Sequence, residues 1–330
     1  MIENNMKNAV KFSIIIPVAE INDYIRSFTP RILNQTYKNF EIIIIPNEMP
    51  KNTFKLAKSR IVASGKVGPA VKRDLGAKIA RGNVLAFIDD DAYPDDRWLE
   101  RAAKYFEKKD IAGVGGPQLT PKESNDFQTL SGMVLSSWLV SGDQSHRYHV
   151  GRKPIEYYDM PSCNLFIRKS AFLEIGGFDT SFWPGEDTKL CLDIKKSGKK
   201  MVYDPGIIVY HHRRKDFKGY IKQIFTYSSH RGYFMKKYPE TSLKFSYLVP
   251  SLFLLGIIIG GILSLFSSFI RTTYLSVLGF YLILLIIEGF RTGKFKIVPK
   301  FIGLSFITHM IYGVGVIRGI FKKNLMSKYR

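Results

Sequence analysis

The sequence predicts an α/β protein with a mostly parallel central sheet and flanking helices, followed by a helical membrane region. Three observations carry this expectation. Short apolar runs alternate with helical segments over the first 115 residues, the pattern of a doubly wound sheet. One run, Val84–Asp91 (VLAFIDDD), stops abruptly at three carboxylates, Asp89, Asp90 and Asp91. A buried strand in such a sheet reads this way, and ligands collect at the C-terminal ends of its strands. The last 90 residues carry long apolar runs, whereas the first 240 mix charged and apolar residues.

The elements follow in order. Lys11–Pro17 (KFSIIIP) reads as a first buried strand stopped by proline. Asn22–Gln35 has helical character, broken or kinked at Pro30. Glu41–Ile45 is a second strand, ended by Pro46, and Ile61–Ala63 a short third. Pro69–Arg81 is a helix with proline in its first turn and Gly82 after it. Pro94–Glu107 is expected as a helix, with Asp95 and Asp96 at its start and Lys108 and Lys109 beyond its end, as the macrodipole favours. Ile111–Gly115 is a strand. Residues 117–160 read as a long irregular connection over the sheet edge, the kind of loop that shapes a binding site. Asn164–Ile167 is a strand and Lys169–Ile175 a short helix. Gly185-Glu186-Asp187 opens a helix to Lys196, capped by Gly198. Met201–Val209 is a strand leading into Tyr210-His211-His212-Arg213-Arg214. Asp216–Tyr238, rich in aromatics and cations, reads as a helix on a membrane surface.

At 330 residues there is room for one large domain and an appendage. The net charge of +21, from 49 Lys and Arg against 28 Asp and Glu, calls for an anionic partner. No nucleic-acid motif is present and juxtamembrane cations account for the charge, so nucleic acid is not expected. Cys163 and Cys191 are too few for a disulfide scaffold, and no cysteine–histidine cluster suggests zinc. With no secretory signal, a cytoplasmic catalytic part is expected. Phe245–Ile270 and Thr273–Phe290 are long enough to span a ~30 Å hydrocarbon core. Pro299–Ile317, with His309 inside it, is a weaker third segment: a span, or a re-entrant or interfacial helix. The loop Arg291–Lys300 carries four cations and belongs in the cytosol by the positive-inside rule. Three spans would put the cationic tail Lys322–Arg330 outside, against that rule. The expected division is a catalytic domain over 1–214, an amphipathic interfacial helix and linker over 215–240, and a membrane region with two to three crossings over 241–330. The protein is expected as a multi-pass component of the cell membrane.

Three adjacent acids repel one another unless a cation sits among them. Hard oxygen ligands beside a cleft suit Mg2+ or Mn2+ carrying substrate phosphates; the alternative is a solvated acidic turn. Glu186 and Asp187 open a helix, where acids also serve simply to complement the dipole. The functional reading is a carboxylate that takes a proton from a hydroxyl nucleophile, its basicity raised by an anionic site. Phe182 and Trp183 beside it suit a surface that stacks a sugar ring. His211 is either structural or a ligand; Arg213 and Arg214 after it are suited to a diphosphate.

The order of these pieces resembles glycosyltransferase family 2, inverting enzymes of the GT-A fold. The matching stretches are SIIIPVAE, then GPAVKRDLGAKIARGNVLAFIDDDAYPDDRWL, then CNLFIRKSAFLEIGGFDTSFWPGEDTKLCLDIKKSGKKMVYDPGIIVYHH. The resemblance covers residues 11–240. It implies that Pro17, Val18 and Glu20 line a nucleotide pocket, with Arg73 and Asp74 on the nucleotide-side helix. It implies that Asp89 contacts the nucleoside, with Asp90 beside it, and that Asp91 holds the divalent metal. Asp187 would be the general base, supported by Glu186, and His211 would complete the metal or diphosphate site. Trp183, Arg213 and Arg214 fall to the acceptor and the diphosphate. Two departures stand out. The second strand leads into Pro46-Asn47-Glu48 rather than directly into a base-reading acid, leaving Glu48 as the substitute. The Gln-x-x-Arg-Trp signature of processive synthases is absent, since Gln223 and Arg231 have a different spacing. The implied activity is transfer of a single sugar from a nucleotide-sugar donor to a membrane-associated, lipid-linked glycan. The alternatives are a polyprenyl-phosphate sugar transferase, whose ionised acceptor needs no base, and a catalytically silent membrane-tethered scaffold.

Overall fold

A computed structural model describes residues 10–51, 54–291 and 295–325. The chain forms two compact units. One takes in the chain up to Pro121 together with Val150–His212; the other comprises Lys122–His149 and Arg213–Leu325.

The first unit is built on an eight-stranded sheet. Its strands are β1 (Phe12–Pro17), β2 (Phe40–Ile45), β3 (Ser59–Ile61), β4 (Val84–Phe87), β6 (Ile111–Gly115), β8 (Ile155–Glu156), β9 (Leu165–Arg168) and β10 (Lys200–Tyr203), in the order β3-β2-β1-β4-β9-β6-β10-β8. The pairs β3–β2, β2–β1, β1–β4 and β6–β10 are parallel. β9 enters antiparallel between β4 and β6. The β1, β2 and β4 strands are buried along their whole length, as continuous apolar runs in a two-sided sheet must be. Alternation sends Ile14, Ile42 and Ala86 to one face and Ile15, Ile43 and Leu85 to the other. Helices α1 (Asp23–Ile32) and α3 (Trp98–Phe106) supply the first face; α2 (Pro69–Ile79), α6 (Lys169–Glu174) and α7 (Glu186–Lys196) supply the second.

A second, three-stranded sheet has the order β5-β11-β7, with β5 at Ala92–Pro94, β7 at Gln118–Leu119 and β11 at Val209–His211. It corrects two expectations. Pro94 does not open a helix, because it pairs with Val209 in the β5–β11 ladder, and α3 starts only at Trp98. Met201–Val209 is not one strand: a turn at Asp204, whose carboxylate accepts from the Gly206 amide at 2.8 Å, separates β10 from β11. β3 also falls two residues earlier than the sequence suggested, at Ser59–Ile61.

The second unit is helical. Within the stretch read as irregular, Asp126–Ser136 forms α4, started by a capping box between Asn125 and Gln128, and Trp138–Ser141 forms α5. The capping box was readable; the uncharged run after it lacked the polar face that marks a surface helix. Then come α8 (Phe217–Lys237), α9 (Pro239–Ser242), α10 (Phe245–Leu263), α11 (Ser268–Arg291) and α12 (Val298–Phe321). Asp216 caps α8 by accepting from the Gly219 amide at 2.7 Å. Three segments, Phe245–Leu263, Ser268–Arg291 and Phe295–Phe321, are long and apolar enough to cross a membrane, and they fit a membrane anchor.

Candidate active site

The site grows from the end of β4. Beyond Ile88 the chain turns through Asp89, Asp90 and Asp91 and immediately re-enters a ladder as β5. Register then decides what meets Asp91. His211 pairs with Ala92, the residue after Asp91, and the His212 amide donates to the Asp91 carbonyl at 3.1 Å. The His211 imidazole therefore reaches the Asp91 carboxylate, Nε2 to Oδ1 at 3.0 Å. Its other nitrogen, Nδ1, donates to the Gln118 side-chain oxygen at 2.7 Å, which also accepts from the Cys163 thiol at 3.0 Å. Gln118 fixes the ring, as an outer partner of a metal-binding histidine does. Burial works against a charge on His211, but the Asp91 carboxylate prevails and holds its pKa well above the usual histidine range.

Asp89, Asp91 and His211 bring ligand atoms within 4.8 Å of one another. Two carboxylates and an imidazole form a donor set suited to a Mn2+-like or Mg2+-like ion, and the spacing lets one ion reach all three. The surrounding charge agrees. Five carboxylates face three cations: Asp90 acts on the buried Lys72, Asp89, Glu186 and Asp187 act on the buried Arg73, and Asp91 acts on His211. Burial and the flanking acids push Asp90 up to about 6, even though Asn22 donates to it at 2.5 Å. Such a surplus of negative charge is relieved by a divalent cation.

Arg73, on α2, links the two acidic motifs. Its guanidinium contacts Asp89 at 2.7 Å and Glu186 at 3.1 Å, and lies 5.7 Å from the centre of the Phe178 ring. It is 4% exposed and Glu186 7%, so that contact is made away from water, while Asp89, at 28%, keeps one side open to the cleft. Burial, and then the Asp187 charge, raise the Glu186 pKa above the usual range, while Arg73 pulls it down. Asp187 is half-buried at the first turn of α7, where its carboxylate accepts from the Thr188 amide at 2.8 Å. Gly185 before it has φ +116°, a backbone that side chains other than glycine resist, and this sets the entry into α7. Gly177, at φ +84°, brings the chain against Asp74, which accepts from the Phe178 amide at 3.0 Å. That contact seats Phe178 beneath Arg73.

The remaining candidates separate. Pro17 and Val18 are buried at the end of β1, and the buried Lys72 ammonium donates to the Val18 carbonyl and to Asn47 Oδ1, the latter at 2.7 Å. Lys72, Asn47 and Asn22 thus face the ends of β1, β2 and β4, and none was singled out from the sequence. Glu20 and Glu48 are exposed, and Trp183 is 39% exposed. Arg213 and Arg214 belong to the second unit. There the Arg213 guanidinium lies 4.7 Å from the centre of the Tyr148 ring and its carbonyl accepts from Gln128 at 2.7 Å, while Arg214 is exposed.

The acidic loop at a parallel strand's end, the facing histidine and the second acidic helix start sit on a mostly parallel sheet of the GT-A class. Residues 13–176 match the family described as Glycosyl transferase family 2; the chain carries a domain of that family and is a glycosyltransferase. It is 26% identical over 341 residues, 96% of this chain and 99% of the other, to a Methanococcus voltae protein. That protein is named dolichyl N-acetyl-alpha-D-glucosaminyl phosphate 3-beta-D-2,3-diacetamido-2,3-dideoxy-beta-D-glucuronosyltransferase. A glucosyl-dolichyl phosphate glucuronosyltransferase from Haloferax volcanii is 26% identical over 163 residues, 44% of this chain and 47% of its own length. The fold is shared with a solved mannosyltransferase from Pyrobaculum calidifontis in complex with GDP-Man and Mn2+. That likeness has a TM-score of 0.65 and 13% identity, and covers 96% of this chain and 88% of the other.

Proposed function

We propose that this glycosyltransferase moves one sugar, with inversion, from a nucleotide-sugar donor to a hydroxyl of a sugar already linked to a lipid phosphate. The observation that carries the reading is the single buried guanidinium of Arg73 shared by Asp89 and Glu186. It ties a donor-side acid to the helix start that bears Asp187. The relatives named above act, by their names, on dolichyl-phosphate-linked sugars, which supports a lipid-linked acceptor.

In this reading Lys72, Asn47 and the ends of β1 and β2 hold the nucleoside, and Asp90 keeps Asn22 and α1 against it. Asp89, Asp91 and His211 would hold Mg2+ or Mn2+, which neutralises charge on the departing nucleoside diphosphate. Asp187 accepts the proton of the acceptor hydroxyl as that oxygen attacks the anomeric carbon from the face opposite the diphosphate. Arg73 keeps Glu186 in register, so that Asp187 alone of the pair faces the acceptor. Arg213 and Arg214 remain candidates for the diphosphate.

The test is nucleotide release from a panel of UDP-, GDP- and dTDP-sugars by detergent-purified protein with Mg2+, Mn2+ or EDTA, with and without lipid-linked sugar acceptors. Metal-dependent release from one donor, lost in Asp91→Ala and in Asp187→Asn, supports the reading. Full transfer by Asp187→Asn would sink the hydroxyl acceptor and favour a lipid phosphate. Absence of turnover with every donor and acceptor would sink the proposed reaction.

A further inference from the structure

We propose that the chain crosses the membrane twice, and that α12, apolar enough to be a third crossing, instead lies along the membrane face that carries α8. The proposal rests on reading α10 and α11 as membrane-spanning.

The contacts of α12 trace its path. Its first turns pack on the last turns of α11: Val298 and Phe301 fit against Gly289, and Phe301 and Leu304 cluster with Leu285. Midway, His309 Nδ1 meets the Tyr281 hydroxyl at 2.7 Å, and its ring lies 6.0 Å from Phe253 of α10. A third crossing would continue along α11 towards Ser268. Instead α12 passes to the beginning of α10. The Ser251 hydroxyl donates to the Gly313 carbonyl at 3.1 Å, and Val316 packs with Tyr247 and Met235. At its end the Lys236 ammonium donates to the Lys322 carbonyl at 2.8 Å. Lys236 precedes α10 and Lys322 follows α12. Were α12 a crossing, these two residues would be separated by a hydrocarbon core ~30 Å thick.

The partner of α12 gives the same answer independently. α8 runs beside it in the same direction: Tyr220 bonds Thr308 at 2.8 Å, Gly315 fits against Ser228, and Gly319 against Ser229. α8 exposes Lys218, Lys222, Lys236 and Lys237, and four exposed ammonium groups hold a helix at the water interface. Small residues bring the two backbones together over the whole second half of α12, so α12 stays where α8 stays. At its deepest point α12 also supports a helix break. The chain kinks at Ser137 between α4 and α5, and His309 Nε2 meets the Leu139 carbonyl at 3.2 Å. A carbonyl released at such depth needs a donor, and the imidazole is one.

Two crossings return the end of α12 to the side where the chain enters α10. The cationic stretches at Arg291–Lys300 and from Lys322 onward then share one face, as the positive-inside rule requires. It is also the face of the catalytic unit, because α8, too charged to cross, joins that unit to α10.

Single cysteines at three exposed positions test this in sealed vesicles with a membrane-impermeant thiol reagent: Lys109→Cys in the catalytic unit, Ser268→Cys at the turn between α10 and α11, and Lys323→Cys after α12. The native Cys163 and Cys191 are buried. The expected result is that Lys323→Cys is labelled together with Lys109→Cys, and Ser268→Cys only after the vesicles are opened or inverted. Labelling of Lys323→Cys together with Ser268→Cys overturns the proposal while leaving the membrane-spanning hairpin intact. Labelling of Ser268→Cys together with Lys109→Cys means that the hairpin does not cross, and both readings fall.

Discussion

The two units solve the same packing problem in opposite senses. In the catalytic unit apolar side chains are hidden: Ile14, Ile43, Leu85 and Phe166 are all 0% exposed. In α10 and α11 they face outward, with Ile258 at 51%, Ile262 at 55% and Phe269 at 78% exposed, while Ser228, Ser305, Thr308 and close-packed glycines of the same unit are buried. Water makes apolar burial the driving force in the first unit. Where lipid is the surrounding medium that force vanishes, and close backbone approach with hydrogen bonds between helices takes over. Asp89, Asp91, Glu186, Asp187 and His211 all lie in the first unit, where a low dielectric strengthens the interactions between their charges.

The largest effect separating the units is on activity. Asp91→Ala and Asp187→Asn are each expected to slow transfer by about 10²–10⁴-fold while leaving thermal unfolding of the second unit in place. Nucleotide release and a melting curve, taken together, check this. Next is a matched pair of truncations. Ile44→Ala, in a fully buried strand, is expected to cost about 2–5 kcal/mol, and Ile258→Ala, half-exposed on α10, under about 1 kcal/mol. Equal losses by chemical denaturation in lipid nanodiscs would break the comparison. Smaller again is overpacking between α8 and α12. A Cβ at Gly319 would lie 2.0 Å from the Ser229 carbonyl oxygen, so Gly319→Leu is expected to cost about 1–3 kcal/mol. Gly256→Leu, with nothing within 4 Å, is the control expected to unfold with the parent.

The smallest effect is a pH dependence. Burial lifts Asp74 to about 6, against ~3.9 for a free aspartate. The folded state therefore holds this proton more tightly than the unfolded chain. The stabilisation is fully present below pH ~4 and is lost as pH rises through about 6. Asp74→Asn keeps an acceptor for the Phe178 amide without the charge. It is expected to be more stable than the parent at pH 7 by about 1–2 kcal/mol, after allowance for solvent screening, with the gap closing below pH ~4. A gap that is the same at pH 4 and pH 7 would contradict the assignment.

What could be read from the sequence was whatever a few neighbouring residues state locally. The run Ile42–Ile45 announces a buried strand, and VLAFIDDD announces both a strand and the acids at its end. Glu186, Asp187 and His211 stood out as candidates by type and order. What was hidden depends on distant pairing. Arg73 was assigned to the nucleotide side, but nothing near it in the chain shows that it also holds Glu186, 113 residues away. Gln118 became visible only once β11 and β7 paired, and Lys72 with Asn47 only once β2 and α2 packed together. The division of Met201–Val209 between two sheets was equally concealed, because each half satisfies strand preferences on its own. The α4 helix was missed because its uncharged surface packs on other helices rather than facing water.

One further consequence follows from where the chain leaves the catalytic unit. The excursion Lys122–His149 departs after β7 and returns before β8, and every ladder of both sheets is formed by residues outside it. Its length and composition are therefore unconstrained by strand register. Its constraints come instead from the helices of its own unit: Val134 packs with Tyr220 and Phe301, and the Leu139 carbonyl meets His309. A change within residues 122–149 is therefore felt first by α8 and α12, while the strand pairing that sets the acidic loop and His211 is left as it is.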